Sequence, residues 1–191
     1  MNTGLQAILL VGPTGSGKSP LGDYLERHGL WGGRCFHFDF GSRLRRLDRG
    51  ESSRGSLSIT DLDVIRHSLR SGTLLEDRQY GIAERIFRDF VQRRKIGFLD
   101  WIVLNGLPRH EGQARGMETV VNVKTVVELE CSPDMVLARI EGNTGGDRHG
   151  RADDSEAAVR ARLVLYEERT RPLLDHYRSK GVRIVVVPVH S

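Results

Sequence analysis

Five short apolar runs, rich in β-branched and aliphatic residues, constrain the fold of this chain more than any other feature. The runs are Leu5–Val11, Cys35–Phe38, Trp101–Leu104, Thr125–Leu129 and Val182–Val189. In these runs the apolar residues are largely continuous and do not alternate with polar ones, which is typical of parallel strands buried on both faces. The pattern therefore predicts a parallel sheet with a layer of structure on each side.

Segments with the helical spacing of apolar residues separate these runs. They are Lys18–His28, Ile59–Arg70, Asp77–Arg94 and Glu156–Ser179. Pro172 predicts a kink in the last of them, because proline has no N–H to donate and its ring clashes with the preceding turn. Alternation of strands and helices predicts an α/β layered fold.

Length and composition exclude several classes of protein. The chain has 191 residues, which fits a single domain, and it contains only two cysteines, Cys35 and Cys131. Two cysteines make neither a disulfide framework nor a zinc site. No apolar run approaches the length of a membrane-spanning helix, and the N-terminus lacks a basic start followed by a cleavage site. We therefore expect a cytoplasmic protein with no membrane association.

The basic charge of the chain is spread widely. Lys and Arg number 29 against 25 Asp and Glu, which gives a net charge of +4. Acidic residues are interspersed with most of the basic ones, so we interpret the bulk of this charge as a solvated surface. No RNA- or DNA-binding module is visible, and a nucleic-acid partner is not expected.

The segment 12–19 reads Gly-Pro-Thr-Gly-Ser-Gly-Lys-Ser and matches the phosphate-binding loop pattern. An apolar strand leads into it and a helix leads out, as that loop requires. Its glycines allow backbone N–H groups to face phosphate oxygens, Lys18 reaches the β- and γ-phosphates, and the Ser19 hydroxyl is a ligand for Mg²⁺. The predicted ATP-binding residues are Gly12, Pro13, Thr14, Gly15, Ser16, Gly17, Lys18 and Ser19. No Asn-Lys-x-Asp motif is present, which argues against a GTPase.

A second motif follows the third apolar run, at the carboxyl end where ligands of open α/β sheets bind. Residues 105–109 read Asn-Gly-Leu-Pro-Arg, and Gln113 comes four residues later. This motif resembles the Asp-Gly-Phe-Pro-Arg segment and following Gln of the adenylate kinase-like nucleoside monophosphate kinases. The resemblance implies that Arg109 binds the phosphate of the acceptor and that Gln113 reads its base.

Further segments resemble the same family in the same order, over about residues 5–180. Residues 40–45 are similar to the family's Thr-Gly-Asp-x-Leu-Arg, residues 71–77 to its Gly-x-Leu-Val-x-Asp, and residues 148–154 to its Gly-Arg-x-Asp-Asp. By resemblance, Lys18, Arg109, Arg139, Arg151 and Arg162 are the catalytic residues. The acceptor-binding residues implied in this way are Phe40, Gly41, Arg45, Leu75, Asn105, Gly106, Arg109 and Gln113.

The resemblance also implies an architecture and an activity. We expect a three-layer phosphate-loop fold spanning 1–191, with a five-stranded parallel sheet of order 2-3-1-4-5 and helices on both faces. An acceptor-binding insertion is expected at 40–76 and a short lid at 141–152, both closing on the substrates. The implied reaction is ATP + NMP ⇌ ADP + NDP with Mg²⁺, carried out by a monomer, and AMP is the favoured acceptor.

The chain departs from the family pattern at positions that matter for the metal and the base. Asn105 and Ser42 stand where the family has acids near Mg²⁺. Ser19 is then expected to carry more of the metal binding, with Asp39 or Asp100 as candidate contributors.

Phe40 replaces a small residue that contacts the acceptor base, and an aromatic ring there either stacks on the base or blocks it. The family also continues into a helix behind the donor adenine, whereas this sequence ends at Ser191, which predicts looser selectivity for the donor base.

Two other functions stay open at this point. One is a kinase of a different small acceptor on the same core. The other is a nucleotide-binding regulator with weak turnover, which the two missing acids would favour.

Overall fold

The computed structural model describes residues 4–146 and 155–190 of the chain. A five-stranded sheet forms its centre, built from β1 (Leu5–Val11), β2 (Cys35–Asp39), β3 (Trp101–Asn105), β4 (Val121–Glu130) and β5 (Arg183–Pro188). The strand order is β2-β3-β1-β4-β5, and all neighbouring strands are parallel. The predicted sheet and strand order are confirmed. β4 begins four residues before its apolar run, because polar Asn122 and Lys124 interrupt the hydrophobic pattern there.

Helices connect the strands and cover the sheet. They are α1 (Lys18–His28), α2 (Phe40–Asp48), α3 (Ile59–Ser71), α4 (Tyr80–Arg94), α5 (Glu111–Met117), α6 (Pro133–Glu141), α7 (Glu156–Leu165) and α8 (Leu173–Ser179). The apolar periodicity did not predict α2, α5 or α6, although the resemblance implied an acceptor-binding insertion where α2 lies. The start of α6 does carry a sequence signal, since Ser132 caps it and Pro133 occupies its first turn. No helix in the described ranges is both long and apolar enough to cross a membrane.

The last predicted helix is interrupted earlier than Pro172 implies. α7 ends at Leu165, a wider turn with π-type hydrogen bonding runs over Tyr166–Thr170, and α8 begins only after Pro172. The Arg171 N–H donates to the Tyr166 carbonyl, five residues back. Since proline cannot donate to the preceding turn, the chain widens ahead of it and then starts a new helix.

Side chains of β1 alternate between two hydrophobic layers. Ala7, Leu9 and Val11 belong to the larger layer, which packs against helices that include α4, α5 and α8. Ile8 and Leu10 belong to a smaller layer on the opposite face, where α1 packs. Both faces of the strand are buried, which explains why its sequence is apolar without alternation.

An aromatic cluster fills the larger layer beneath β2. The Phe38 side chain is fully buried, and its ring centroid lies 5.2 Å from that of Phe87 and 5.1 Å from that of Phe90, both on α4. The Phe40 ring stacks on the other side at 6.1 Å. These contacts join the end of β2 to α4, and they fix the start of α2.

We expect Phe38→Ala to destabilise the protein by about 3–5 kcal/mol, because it removes a buried ring and leaves a cavity among three others. Urea denaturation followed by circular dichroism would measure this loss. Phe98→Ala is the matched control, since the Phe98 side chain is 71% exposed, and its effect should stay within about 0.5 kcal/mol. Equal effects of the two substitutions would contradict the assigned core.

Candidate active site

A cavity of about 210 Å³ opens at the carboxyl ends of β1, β2 and β3. β1 is the central strand, with β3 on one side and β4 on the other. Ligands of open α/β folds bind at the carboxyl ends of the strands near such a position. The predicted site residues that border it are Gly12, Thr14, Gly15, Gly17, Lys18, Ser19, Phe40, Gly41, Arg45, Leu75, Asn105, Gly106, Arg109, Gln113, Arg139 and Arg162. Pro13 and Ser16 belong to the same loop but do not border the cavity. The structure thus brings the predicted donor and acceptor residues to one place.

The phosphate loop joins β1 to α1 through a tight backbone turn. Gly12 has a φ of 155°, and a Cβ added there would lie 2.7 Å from the Ser16 Oγ, so only glycine fits. α1 begins at Lys18 without a side-chain cap on its first N–H groups. Uncapped N–H groups at a helix N-terminus form an anion site, because they carry the positive end of the helix dipole.

Lys18 extends over the loop. Its ammonium group donates hydrogen bonds to the carbonyl oxygens of Gly12, at 2.7 Å, and Pro13, at 2.6 Å. The Ser16 Oγ, buried beneath the loop, lies 3.4 Å from the same nitrogen. These bonds hold the Lys18 ammonium group against the loop, and the residue borders the cavity where phosphate would lie.

Three polar side chains meet between the loop and the ends of β2 and β3. The Ser19 Oγ donates to Asp39 Oδ2 at 2.7 Å, and the Asn105 Nδ2 donates to the same carboxylate oxygen at 3.1 Å.

The prediction of Asp100 as a candidate contributor to the metal site is wrong. Asp100 precedes β3 and therefore lies at the opposite edge of the sheet, where Arg34 binds both of its carboxylate oxygens.

Four predicted arginines border the cavity, and all four are half-buried. Burial and the positive charge of Arg162 lower the pKa of Arg109 to about 10, which leaves it protonated at neutral pH. The Arg139 Nε donates to the Gly15 carbonyl and so ties α6 to the phosphate loop. The Arg162 Nε donates to the Ala158 carbonyl within α7. Two mutually repelling guanidinium groups in one cavity are stabilised when an anion binds between them.

The Gln113 amide is fixed by backbone groups on both sides. Its Oε1 accepts from the Arg109 N–H at 2.8 Å, and its Nε2 donates to the Leu75 carbonyl at 2.8 Å. His110 Nε2 lies 2.9 Å from the same carbonyl. These bonds tie the start of α5 to the segment that follows α3. His110 caps α5 and is only 5% exposed, and no pattern in the sequence predicted its place in the site.

The Phe40 ring points into the protein. Its side chain is 4% exposed and stacks on Phe38, although the residue also borders the cavity. Packing therefore decides the orientation of this ring, and neither stacking on a base nor blocking of the cavity is needed to explain its presence. Thr170 also borders the cavity and was not predicted from the sequence. Its buried hydroxyl has no hydrogen-bond partner within 4–146 and 155–190.

Part of the predicted lid lies outside the described residues. The catalytic candidate Arg151 falls in 147–154 and therefore stays a prediction. The structure describes the entry to this segment, where α6 ends at Glu141 and turns follow to Gly146.

No model of a known protein family matches the chain. Curated proteins do match it over almost their whole length. An adenylate kinase of Synechococcus sp. (strain WH7803) is 31% identical over 95% of this chain and 89% of its own. An adenylate kinase of Stenotrophomonas maltophilia (strain R551-3) is also 31% identical, over 91% of this chain and 86% of its own. One from Rhodopirellula baltica is 29% identical over 92% and 83%. Together with the cavity at the carboxyl ends of β1, β2 and β3, this similarity shows that the chain belongs to the adenylate kinase family of nucleoside monophosphate kinases.

Proposed function

We propose that the protein transfers the γ-phosphoryl group of ATP to AMP and forms two molecules of ADP. One observation carries this proposal: the phosphate loop after β1 and Arg109 after β3 border the same cavity. β1 and β3 are paired neighbours, with Leu10 opposite Asn105, and paired strands lie about 4.8 Å apart. Two phosphate chains bound at these positions would therefore meet inside the cavity. The relatives named adenylate kinase support the same reaction.

The donor phosphates fit the loop between β1 and α1. The backbone N–H groups and the α1 N-terminus bind anionic oxygens, and Lys18 adds a mobile positive charge at their edge. When ATP binds, the ammonium group exchanges its two carbonyl acceptors for phosphate oxygens. Ionised acceptors make stronger hydrogen bonds than neutral ones, so this exchange favours the complex.

The acceptor phosphate fits the arginines on the other side of the cavity. Arg45 on α2 and Arg109 after β3 would hold it, and Arg162, which borders the same cavity, would contact the group being transferred. Guanidinium groups bind phosphate through two parallel hydrogen bonds, which fixes direction as well as distance. Bound in this way, an acceptor oxygen is aligned with the γ-phosphorus.

The chemical step needs positioning and charge stabilisation. The bond from the γ-phosphorus to the β–γ bridging oxygen breaks, and a bond from that phosphorus to an α-phosphate oxygen of AMP forms, with no covalent enzyme intermediate. Negative charge spreads over the equatorial oxygens in the transition state. Lys18, Arg139, Arg151 and Arg162 would stabilise that charge, and Mg²⁺ bound with ATP would neutralise the β- and γ-oxygens.

The remaining hydrogen-bonding capacity of Gln113 favours adenine. With its two backbone bonds in place, the amide retains one N–H and one oxygen lone pair. The N1 and N6–H₂ groups of adenine offer one acceptor and one donor to this amide, the same combination that its N7 and N6–H₂ groups offer to glutamine in protein–DNA contacts. Guanine presents the two in reverse order, an N1–H donor and an O6 acceptor, so an amide held by its two backbone bonds would face a donor with its N–H and an acceptor with its oxygen.

Exclusion of water is a second requirement, because water competes with AMP for the phosphoryl group. We assign this task to the insertion at 40–76, which contains α2 and α3, and to the lid at 141–152. Closure over bound substrates is a general device of such enzymes.

The remaining features fit a small-molecule enzyme in a reducing compartment. We place the protein in the cytoplasm, where the free thiols of Cys35 and Cys131 would stay reduced. Surface arginines pair with acids one helical turn away, such as Arg88 with Glu84 and Arg160 with Glu156, which agrees with the interpretation of the bulk of the basic charge as a solvated surface.

Incubation of the protein with MgATP and each of AMP, GMP, CMP, UMP and dTMP, followed by separation of the products, tests the proposal. We expect ADP to accumulate at two molecules per AMP consumed and the other acceptors to react far more slowly. Formation of a different diphosphate would overturn the assignment of AMP. Binding of ATP with no diphosphate from any acceptor would favour a nucleotide-binding regulator.

Lys18→Met should lower kcat about 100- to 1,000-fold, because it removes one preorganised charge from the transition state. Steady-state kinetics with ATP and AMP would measure this. Lys95→Met provides the control, since Lys95 is exposed at the end of α4, and its kcat should not change. A Lys18→Met variant as fast as the wild type would remove the phosphate loop from the mechanism.

Arg109→Gln should raise KM for AMP about 10- to 100-fold, as expected for the loss of a charged hydrogen bond, while KM for ATP changes little. Arg115→Gln is the matched control, because Arg115 lies on α5 and pairs only with Glu111 among the ion pairs of the described residues. If Arg109→Gln raised KM for both nucleotides equally, Arg109 would not be specific to the acceptor.

A further inference from the structure

Asp39 lies beside position 105, where the family has an acid and this chain has asparagine. Asp39 ends β2 and Asn105 ends β3, and the two residues are opposite each other in the register of the paired strands. Asn105 is in turn opposite Leu10 of β1, just before the phosphate loop. The carboxylate is therefore one strand away from the position where the family carries it, at the same level of the sheet.

The carboxylate of Asp39 is held in one orientation. Its Oδ1 accepts from the Ser42 N–H at 2.8 Å and so caps α2, while its Oδ2 faces Ser19 and Asn105. The Asn105 Nδ2 also lies 3.1 Å from the Ser19 Oγ. One hydroxyl oxygen and one carboxylate oxygen are thus 2.7 Å apart beside the loop that would bind the β- and γ-phosphates.

These two oxygens suit Mg²⁺. The ion prefers oxygen ligands and is usually bound by one or two carboxylates together with phosphates and water. Within residues 4–146 and 155–190, no cluster of three His, Cys, Asp or Glu side chains is placed to hold a metal. A metal at this position would therefore depend on the nucleotide for most of its ligands, as in other phosphate-loop enzymes.

We propose that Asp39 and Ser19 hold the Mg²⁺ that accompanies ATP, so that β2 supplies the carboxylate of the metal site in place of β3. This inference rests on the proposed function for the presence of MgATP. Asn105 is then a positioning residue, since its amide orients the Asp39 carboxylate through the bond to Oδ2. An acid at position 105 is not required, because the negative charge is already present 3.1 Å away.

The test uses Mn²⁺ as the probe, with β,γ-imido-ATP as the nucleotide and the full chain labelled with ¹³C at the aspartate side-chain carboxyls. Pulsed electron–nuclear double resonance then detects a labelled carboxyl next to the bound Mn²⁺. We expect the ¹³C coupling in the wild type, its loss in Asp39→Asn, and its return in the double variant Asp39→Asn/Asn105→Asp. Asp63→Asn on exposed α3 is the control and should retain the coupling.

A second readout is the Mg²⁺ concentration that gives half-maximal activity, which should rise about 10- to 100-fold in Asp39→Asn and recover in the double variant. Asparagine is itself a good helix cap, so α2 should keep its start, and thermal melting would check this. Absence of the coupling in the wild type, or its persistence in Asp39→Asn, would overturn the proposal. A wild type that shows the coupling but forms no ADP from AMP would instead overturn the proposed function alone.

Discussion

The parallel pairing of β1 with β3 on one side and β4 on the other is the interaction on which the rest of the structure depends. It places the phosphate loop at the centre of the carboxyl edge, with the ends of β2 and β3 beside it. Burial of β1 on both faces holds the strand in place, through Leu9 in one layer and Leu10 in the other. The candidate site residues within 4–146 and 155–190 are positioned relative to this strand.

Positive charge in the cavity is the main electrostatic feature of the site. The position of Arg109, half-buried near Arg162, disfavours its charged form, as its lowered pKa indicates. Bound phosphates would remove that repulsion, so part of the affinity for substrate comes from relief of strain already present in the protein. Surface arginines differ in this respect, because nearby acids already neutralise many of them.

Departures from the family pattern are matched by changes in their surroundings. Asn105 replaces an acid, and its amide donates to the carboxylate of Asp39 on the neighbouring strand. Phe40 replaces a small residue, and its ring packs on Phe38 within the core. From the sequence alone, Asn105 and Phe40 each appear unfavourable for function. The fold gives each of them a partner, so neither change argues by itself against catalysis.

The sequence by itself determined the sheet, its layers and the phosphate loop, because these follow from local information. Continuous apolar runs require burial on both faces, and the glycines at 12, 15 and 17 permit the positive φ angles that the loop needs. The resemblance to the family then implied the strand order and the cluster of arginines. Short helices such as α5 were missed, since seven residues carry too little periodicity.

Only the tertiary structure decided between Asp39 and Asp100, the orientation of Phe40, and the bonds that fix Gln113. Each of these depends on which residues of distant segments become neighbours. Asp39 is the last residue of β2, whereas Asp100 comes just before β3, so parallel pairing of the two strands sends the two carboxylates to opposite edges of the sheet. The break of the last helix is decided in part by the sequence, since Pro172 predicts an interruption, but only the structure places the wider turn at Tyr166–Thr170, ahead of that proline.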